Sequence, residues 1–378
     1  MNLGRIGKKC ILVFSGFNQR AVIAFLRTME SHNLCYAIIA KSLEDDIFLT
    51  DYKKNVLAIR NSVPLVLEDL LSTIKEVKEK QLADEYIIAP TTEALNRFLL
   101  EHREHFEMNG CKIPLVEKDL YELVSDKYSF GNLCLEKQIL IPTEIDFNKN
   151  ILLPVVAKPK KYYSKCTNEI LSPVIIKEPY QLKSFIKNKN VEDYYFQEFI
   201  DGRSFYLLYY FSRNGNIYKF SQENLIQQPG GKSIIAAMSS DFHYTQESEK
   251  YEKLFKSIKF FGLVMVEVRQ KNDKNYMIEA NPRFWGPSQL FVDAGINLFE
   301  VFLYYVGMLN QLPKCQEPSD IIRYFWFGGV VDVYKKGFEL IYYQNEKNDL
   351  MNSLPTWLQS DVYRRPDTIS IFKKETFC

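Results

Sequence analysis

The sequence predicts an α/β chain that opens on a parallel-sheet domain and continues into an α+β region of antiparallel hairpins. Three observations carry that expectation. Residues 1 to 115 alternate short apolar runs with stretches of helical period, the pattern of strands joined by crossover helices. Residues 194 to 281 instead pair strand-like runs around polar turns. At 378 residues the chain is too long for one compact core and suits two or three packed domains.

Lys9-Cys10-Ile11-Leu12-Val13-Phe14 is a buried strand ending at Ser15-Gly16, and a helix follows through Ala21 to Leu26. Cys35 to Ala40 is a second strand. Pro64 to Lys80 is an amphipathic helix with Leu67, Leu70, Leu71, Ile74 and Val77 on one face. Tyr86 to Pro90 is a further strand, and Thr91-Thr92-Glu93 starts another helix. Ligands of such sheets bind beyond the carboxyl ends of strands, where Ser15-Gly16 and Pro90-Thr91-Thr92 fall. No GxGxxG is present here, so no dinucleotide is expected.

Residues 116 to 150 form a connector. Ser125 or Asp126 is a suitable N-cap for an apolar helix through Tyr128, Phe130, Leu133 and Leu135. A lysine at a helix N-terminus opposes the helix dipole, so Lys127 needs a compensating anion. Leu152 to Ala157 is a strand that runs into Lys158-Pro159. An ammonium at the end of a buried strand likewise needs an anion to meet it. The following loop, Lys160 to Cys166, is basic and aromatic and has no glycine. Tyr194 to Ile200 reads as a strand, with Asp201-Gly202 as a hinge. Arg213-Asn214-Gly215 is a hairpin turn between Ser204–Phe211 and Asn216–Glu223. Gln227 to Ser233 is a loop containing Gly230-Gly231. Thr245 to Phe261 is a helix expected to stop at Gly262 as its C-cap. Asn297 with Glu300 forms a capping box for a helix through Val306.

The most informative stretch is Gly262 to Gly286. Val264–Gln270 and Asn275–Asn281 are β-branched, alternating runs around Lys271-Asn272-Asp273-Lys274. A loop of three or five residues centred on Asp273 sets Glu267 directly across from Glu279, with Asn281 on the same face. A single Glu in such a place is most often a solvated surface residue. Two opposed carboxylates repel, and a hard divalent cation with oxygen ligands removes that repulsion. Arg283 follows at once, placed to reach an anion held by the metal.

This segment, Ile278-Glu279-Ala280-Asn281-Pro282-Arg283-Phe284-Trp285-Gly286 with the opposed Glu267, resembles the metal-binding hairpin of the ATP-grasp superfamily. The form is most similar to stand-alone members related to the large subunit of carbamoyl-phosphate synthetase. The resemblance covers about residues 116 to 310, and the first domain more loosely. It implies a Rossmann-like domain over 1–115, then an ATP-grasp domain over 116–310. The latter divides into a smaller lid half, 116–200, and a metal-binding half, 201–310. Residues 311–378 remain an aromatic-rich extension, expected to pack as a cover or as a homo-oligomer contact.

The resemblance also implies roles. Glu267, Glu279 and Asn281 would hold Mg²⁺, or Mn²⁺ in its place. Lys127 and Lys158 would bind the nucleotide phosphates, and Arg283 the transferring phosphoryl. Glu198, Phe199 and Ile200 would meet adenine. Two departures stand out. The family's glycine-rich phosphate loop is replaced here by Lys160, Lys161 and Lys165 among tyrosines. Where members place a ribose-binding Glu, this chain has Arg203-Ser204, leaving Asp201 as the substitute. The implied activity is an ATP-dependent ligase that activates a small-molecule carboxylate as an acyl phosphate for attack by an amine. The alternatives are a bicarbonate-activating or carbamoyl-phosphate-type enzyme, and a non-catalytic ATP-binding regulator.

Composition narrows the class. A net charge of +1 gives no whole-chain reason to expect nucleic acid or an anionic membrane. No apolar stretch reaches membrane-spanning length. Seven cysteines without paired spacing suit reduced thiols and a cytoplasmic setting. The four histidines show no catalytic pairing.

Overall fold

Residues 8–147, 151–164, 166–167, 169–314, 320–343 and 352–377 are described by a computed structural model. The chain begins with β1 (Lys9–Phe14), β2 (Tyr36–Ala40), β3 (Val56–Ile59), β4 (Glu85–Ile88) and β5 (Cys111–Lys112). They form one sheet in the order β3-β2-β1-β4-β5, and every pairing is parallel. β1 and β2 are apolar along their length because helices cover both faces of the sheet. The helices Gln19–Ser31, Leu67–Lys80 and Glu93–Glu101 match the expected periodicities. Thr92 caps the last of these, accepting from Leu95 N. β3 and β5 were not legible in the sequence. Runs of four and two residues are too short to display a period. The strand order reverses between β1 and β4, and a crevice opens beyond their carboxyl ends.

A second sheet holds β6 (Glu144–Ile145), β7 (Val155–Pro159), β8 (Val174–Ile176) and β9 (Tyr194–Glu198). Its order is β6-β9-β7-β8, with every pairing antiparallel. A small core of Val155, Ala157, Ile176, Phe185 and Phe196 lies under it.

The largest sheet contains β10 (Arg203–Phe211), β11 (Ile217–Gln227), β12 (Ile234–Ser239), β13 (Gly262–Lys271) and β14 (Lys274–Asn281). The expected turn at Arg213–Gly215 joins β10 to β11, with Gly215 at φ 90°. The helix before β13 ends at Ser257, earlier than expected. Gly262 is not its C-cap; it is the first residue of β13, and Lys259 takes the left-handed turn at φ 54°. Asn297 caps the helix Leu298–Tyr305 through Phe299 N.

The aromatic-rich C-terminal stretch does not stand apart. β15 (Arg323–Phe325) extends the large sheet beside β12, and β16 (Ile341–Tyr342) pairs with β11. Arg27 in the first helix then grips both carboxylate oxygens of Asp367 and the carbonyl of Val362. No helix of the described residues is long and apolar enough to cross a membrane.

Candidate functional site

The hairpin β13–β14 builds the centre. Its turn is Asn272-Asp273, with φ 49° and 58° at the two central residues, the signature of a tight two-residue turn. Lys271 therefore pairs with Lys274, and the expected longer loop is absent. With that turn alone Glu267 would face Ile278. A β-bulge between Glu267 and Val268 shifts the register, so Val268 pairs with Met277 and Glu267 with Glu279. The two acids are cross-strand partners, as the sequence suggested, but for a different reason. Asn281 lies on the same face and donates from Nδ2 to Glu279 Oε1 at 2.6 Å.

The bulge has a second effect. The Ile278 carbonyl accepts from Lys158 Nζ at 2.9 Å, which ties β7 of the small sheet to β14 of the large one. Lys158 is 5% exposed. Burial pushes its pKa down to about 8, and the Lys127 ammonium adds to this.

Each acid has a cation inside the chain. Lys127 Nζ lies 2.8 Å from Glu279 Oε2, so the anion required at this helix start is a carboxylate of the chain itself. Burial pushes the Glu279 carboxyl up, but Lys127, Asn281 and Arg283 together outweigh it and hold the pKa at about 2. Burial alone would lower the Lys127 pKa; the Glu279 charge raises it. Arg269 Nε lies 2.8 Å from Glu267 Oε1 and also donates to the Tyr343 hydroxyl. Arg269 stands two residues beyond Glu267, on the same face. Strand alternation would have picked it out. Tyr343 comes from the C-terminal stretch, which sequence reasoning left without a role.

Asp126 sits at the N-cap position but makes no capping bond. Its carboxylate is nearly fully buried and binds Arg97 at 2.6 Å and Lys161 at 3.0 Å. Arg97 also binds Glu93 at 3.0 Å. None of these partners was anticipated, because the two ends of the cluster are far apart in the chain.

At the hinge, Glu198 ends β9 and Ile200 is buried, while Glu198 and Phe199 are half-buried and Asp201 is exposed. Gly202 is obligatory here. A Cβ would stand 2.1 Å from Gln270 O, so the hinge backbone presses on β13. Arg203 makes a two-pronged pair with Glu223, both contacts at 2.7 Å. Of the loop lysines, Lys160 turns to the Glu192 carbonyl and Lys161 to Asp126. Lys165 lies outside the described residues.

Lys127 and Arg283 line a cavity of about 870 Å³ at the crevice of the parallel sheet. Ser15 and Thr91, at the ends of β1 and just beyond β4, line its floor. The Phe284 N–H donates to Pro90 O, which fixes Arg283 beside the sheet edge. Among the described residues no group of three or more His, Cys, Asp or Glu is placed to hold a metal. The candidate set is instead two carboxylates and one amide oxygen on one face. Such hard oxygen donors fit Mg²⁺, which fills its remaining positions from water and phosphate.

A scan against protein-family models finds no match, and a search of the curated proteins finds none either. Solved structures do match. The L-amino acid ligase of Bacillus licheniformis is 15% identical, over 85% of this chain and 80% of that one, with a TM-score of 0.59. A biotin carboxylase–β,γ-ATP complex from Campylobacter jejuni is 16% identical over 84% and 75%, with a TM-score of 0.60. The pyruvate carboxylase of Rhizobium etli is 15% identical over 81% of this chain, with a TM-score of 0.59; the present chain spans only 30% of it. The chain has the ATP-grasp fold.

Proposed function

We propose that the chain is an ATP- and Mg²⁺-dependent ligase that joins a carboxylate to an amine. The observation that carries the reading is the convergence at one point. The facing Glu267–Glu279 pair with Asn281 adjoins Lys127 and Arg283, which open onto a cavity large enough for an organic substrate. A bound Mg²⁺ would supply charge neutralisation on phosphate oxygens, held by Glu267, Glu279 and Asn281.

The chain's own residues would do the following. Lys127 and Lys158 neutralise the phosphates of ATP, and the backbone at Glu198–Ile200 receives adenine, with Asp201 near the ribose. Arg283 presents a fixed fork of donors to the substrate carboxylate and to the phosphoryl moving onto it. The substrate oxygen attacks the terminal phosphorus, the bond to the bridging oxygen breaks, and ADP leaves. The amine nitrogen then attacks the acyl carbon, phosphate departs, and the amine proton passes to solvent. No side chain is needed as a nucleophile, since positioning and charge supply the catalysis.

The cavity volume favours this over bicarbonate activation. About 870 Å³ lies toward the upper end of the roughly 300–1,000 Å³ that hold drug-sized ligands, far beyond a one-carbon acid. The fold of the ligases and carboxylases above agrees with either chemistry. The test is ADP release measured with panels of carboxylates and amines. Release that needs both an organic acid and an amine supports the reading. Release with bicarbonate alone, or tight ATP binding with no turnover under any pair, overturns it.

A further inference from the structure

The loop from β7 to β8 is where this chain departs from the family pattern, and the structure gives it different work. It folds back as a flap. Leu171 N donates to Tyr162 O at 2.9 Å, Ser164 N to Glu169 O at 2.9 Å, and Tyr163 bridges antiparallel to Ile170. The flap is docked on the connector and on the first domain. Lys161 pairs with Asp126, and the Arg97 guanidinium sits 4.6 Å from the centre of the Tyr162 ring. The Tyr162 and Tyr163 rings meet edge to face at 4.8 Å. Both line the cavity, together with Phe14, Phe17, Leu65 and Phe98.

Charge around the cavity is already matched. Glu93 and Asp126 are paired with Arg97, and Arg60 with Asp69. Arg283 differs: among the described residues its side chain bonds to the Phe284 carbonyl at 2.8 Å and makes no ion pair. The cavity thus offers an anion receptor at one end and an apolar, aromatic chamber over the rest.

We propose that Tyr162 and Tyr163 select the carboxylate substrate, and that it is an acid with a bulky aromatic or branched apolar body. Its carboxylate sits at Arg283 and its body lies against the tyrosine flap and against Phe17, Leu65 and Phe98. A glycine-rich loop would leave that chamber without one side. This inference rests on the ligase reading for which substrate is activated, but acid binding can be measured without turnover.

The test is calorimetric titration of the full chain, without nucleotide, with 3-phenylpropanoate, indole-3-acetate, 4-methylpentanoate, acetate and bicarbonate. The bulky acids are expected to bind at least about 10-fold more tightly than acetate. Tyr163→Ala and Tyr162→Ala should each weaken them on the order of 10-fold or more, while Tyr→Phe at either position retains binding. Arg283→Gln should weaken every acid. ATP affinity of the tyrosine variants should stay within about 3-fold of the parent. Equal binding of acetate and bulky acids overturns the proposal. So does unchanged acid binding in both alanine variants, or a loss of ATP affinity as large as the loss for acids. Bulky-acid binding with no ADP release for any amine would sink the ligase reading and leave this one standing. ADP release confined to small acids would do the reverse.

Discussion

The hairpin β13–β14, which leads into Arg283 at the cavity, and the flap that lines the cavity with Tyr162 and Tyr163 are built on opposite plans. The hairpin sits within the large sheet, and its two acids are matched by Arg269 and Lys127. The flap hangs from the small sheet and touches the connector through an exposed lysine and the first domain through a ring–guanidinium contact. Rigid, charge-balanced scaffolding suits chemistry that must hold groups in fixed positions. A loop with aromatic side chains suits discrimination between substrates, since loops accept change at little cost to the fold. Changes on the hairpin should therefore abolish the reaction for every acid, whereas changes on the flap should alter which acid is used.

The largest expected effect is at Glu279. Glu279→Gln leaves the half-buried Lys127 without its anion, a loss on the order of 1–3 kcal/mol in stability. Turnover should fall at least about 10³-fold, with the Mg²⁺ requirement shifted to higher concentration. Denaturant melts and a magnesium titration of ADP release check both. A variant with normal turnover would break the comparison at its strongest point. Arg283→Ala comes next. Its turnover should drop by about 10²–10³-fold for all acids while the melting midpoint barely moves. Loss for one acid only would place Arg283 with the flap rather than the hairpin.

The third effect concerns pH. On the proposed reading Lys158 would bind phosphate as an ammonium, and burial with the nearby Lys127 pushes its pKa down to about 8. The charged fraction falls as pH rises through that value. ATP affinity should be flat below about pH 7 and weaken toward about tenfold per unit above 8. Lys158→Met should bind more weakly and show no such slope, measured by titration across pH 6.5–9.5 under constant ionic strength. The smallest effect is expected at Lys161→Ala. Its partner Asp126 keeps Arg97, so stability should change by about 0–1 kcal/mol and ATP binding hardly at all. A large loss of ATP affinity would make the flap a phosphate cover after all.

The parallel sheet was legible because β1 and β2 are long enough to announce burial and β4 runs on into Ala89-Pro90 as one apolar stretch. The pairing of Glu267 with Glu279 was legible from alternation, although the turn is shorter than alternation implied and the bulge restores the count. The cluster around Asp126 and Arg97 was not legible. Arg97, Asp126 and Tyr162 come from three separate segments, and only folding brings them together. The role of Tyr343 was hidden for a similar reason: nothing local shows that residues 341–342 pair with β11 more than a hundred positions earlier. The glycine-free loop was visible as a departure, but its destination depends on the first domain packing against it.

The extra residue in β14 has a consequence for descent. In most strands an inserted or lost position turns every later side chain to the other face, so length changes are purged. Here a one-residue gap in the turn is offset by a one-residue surplus a few positions on, and Glu279 keeps its orientation. Kindred chains can carry the same spacing between their two acids on a longer turn with an unbulged strand, so equal spacing spans two different hairpins. A search that fixes that spacing would gather both without telling them apart.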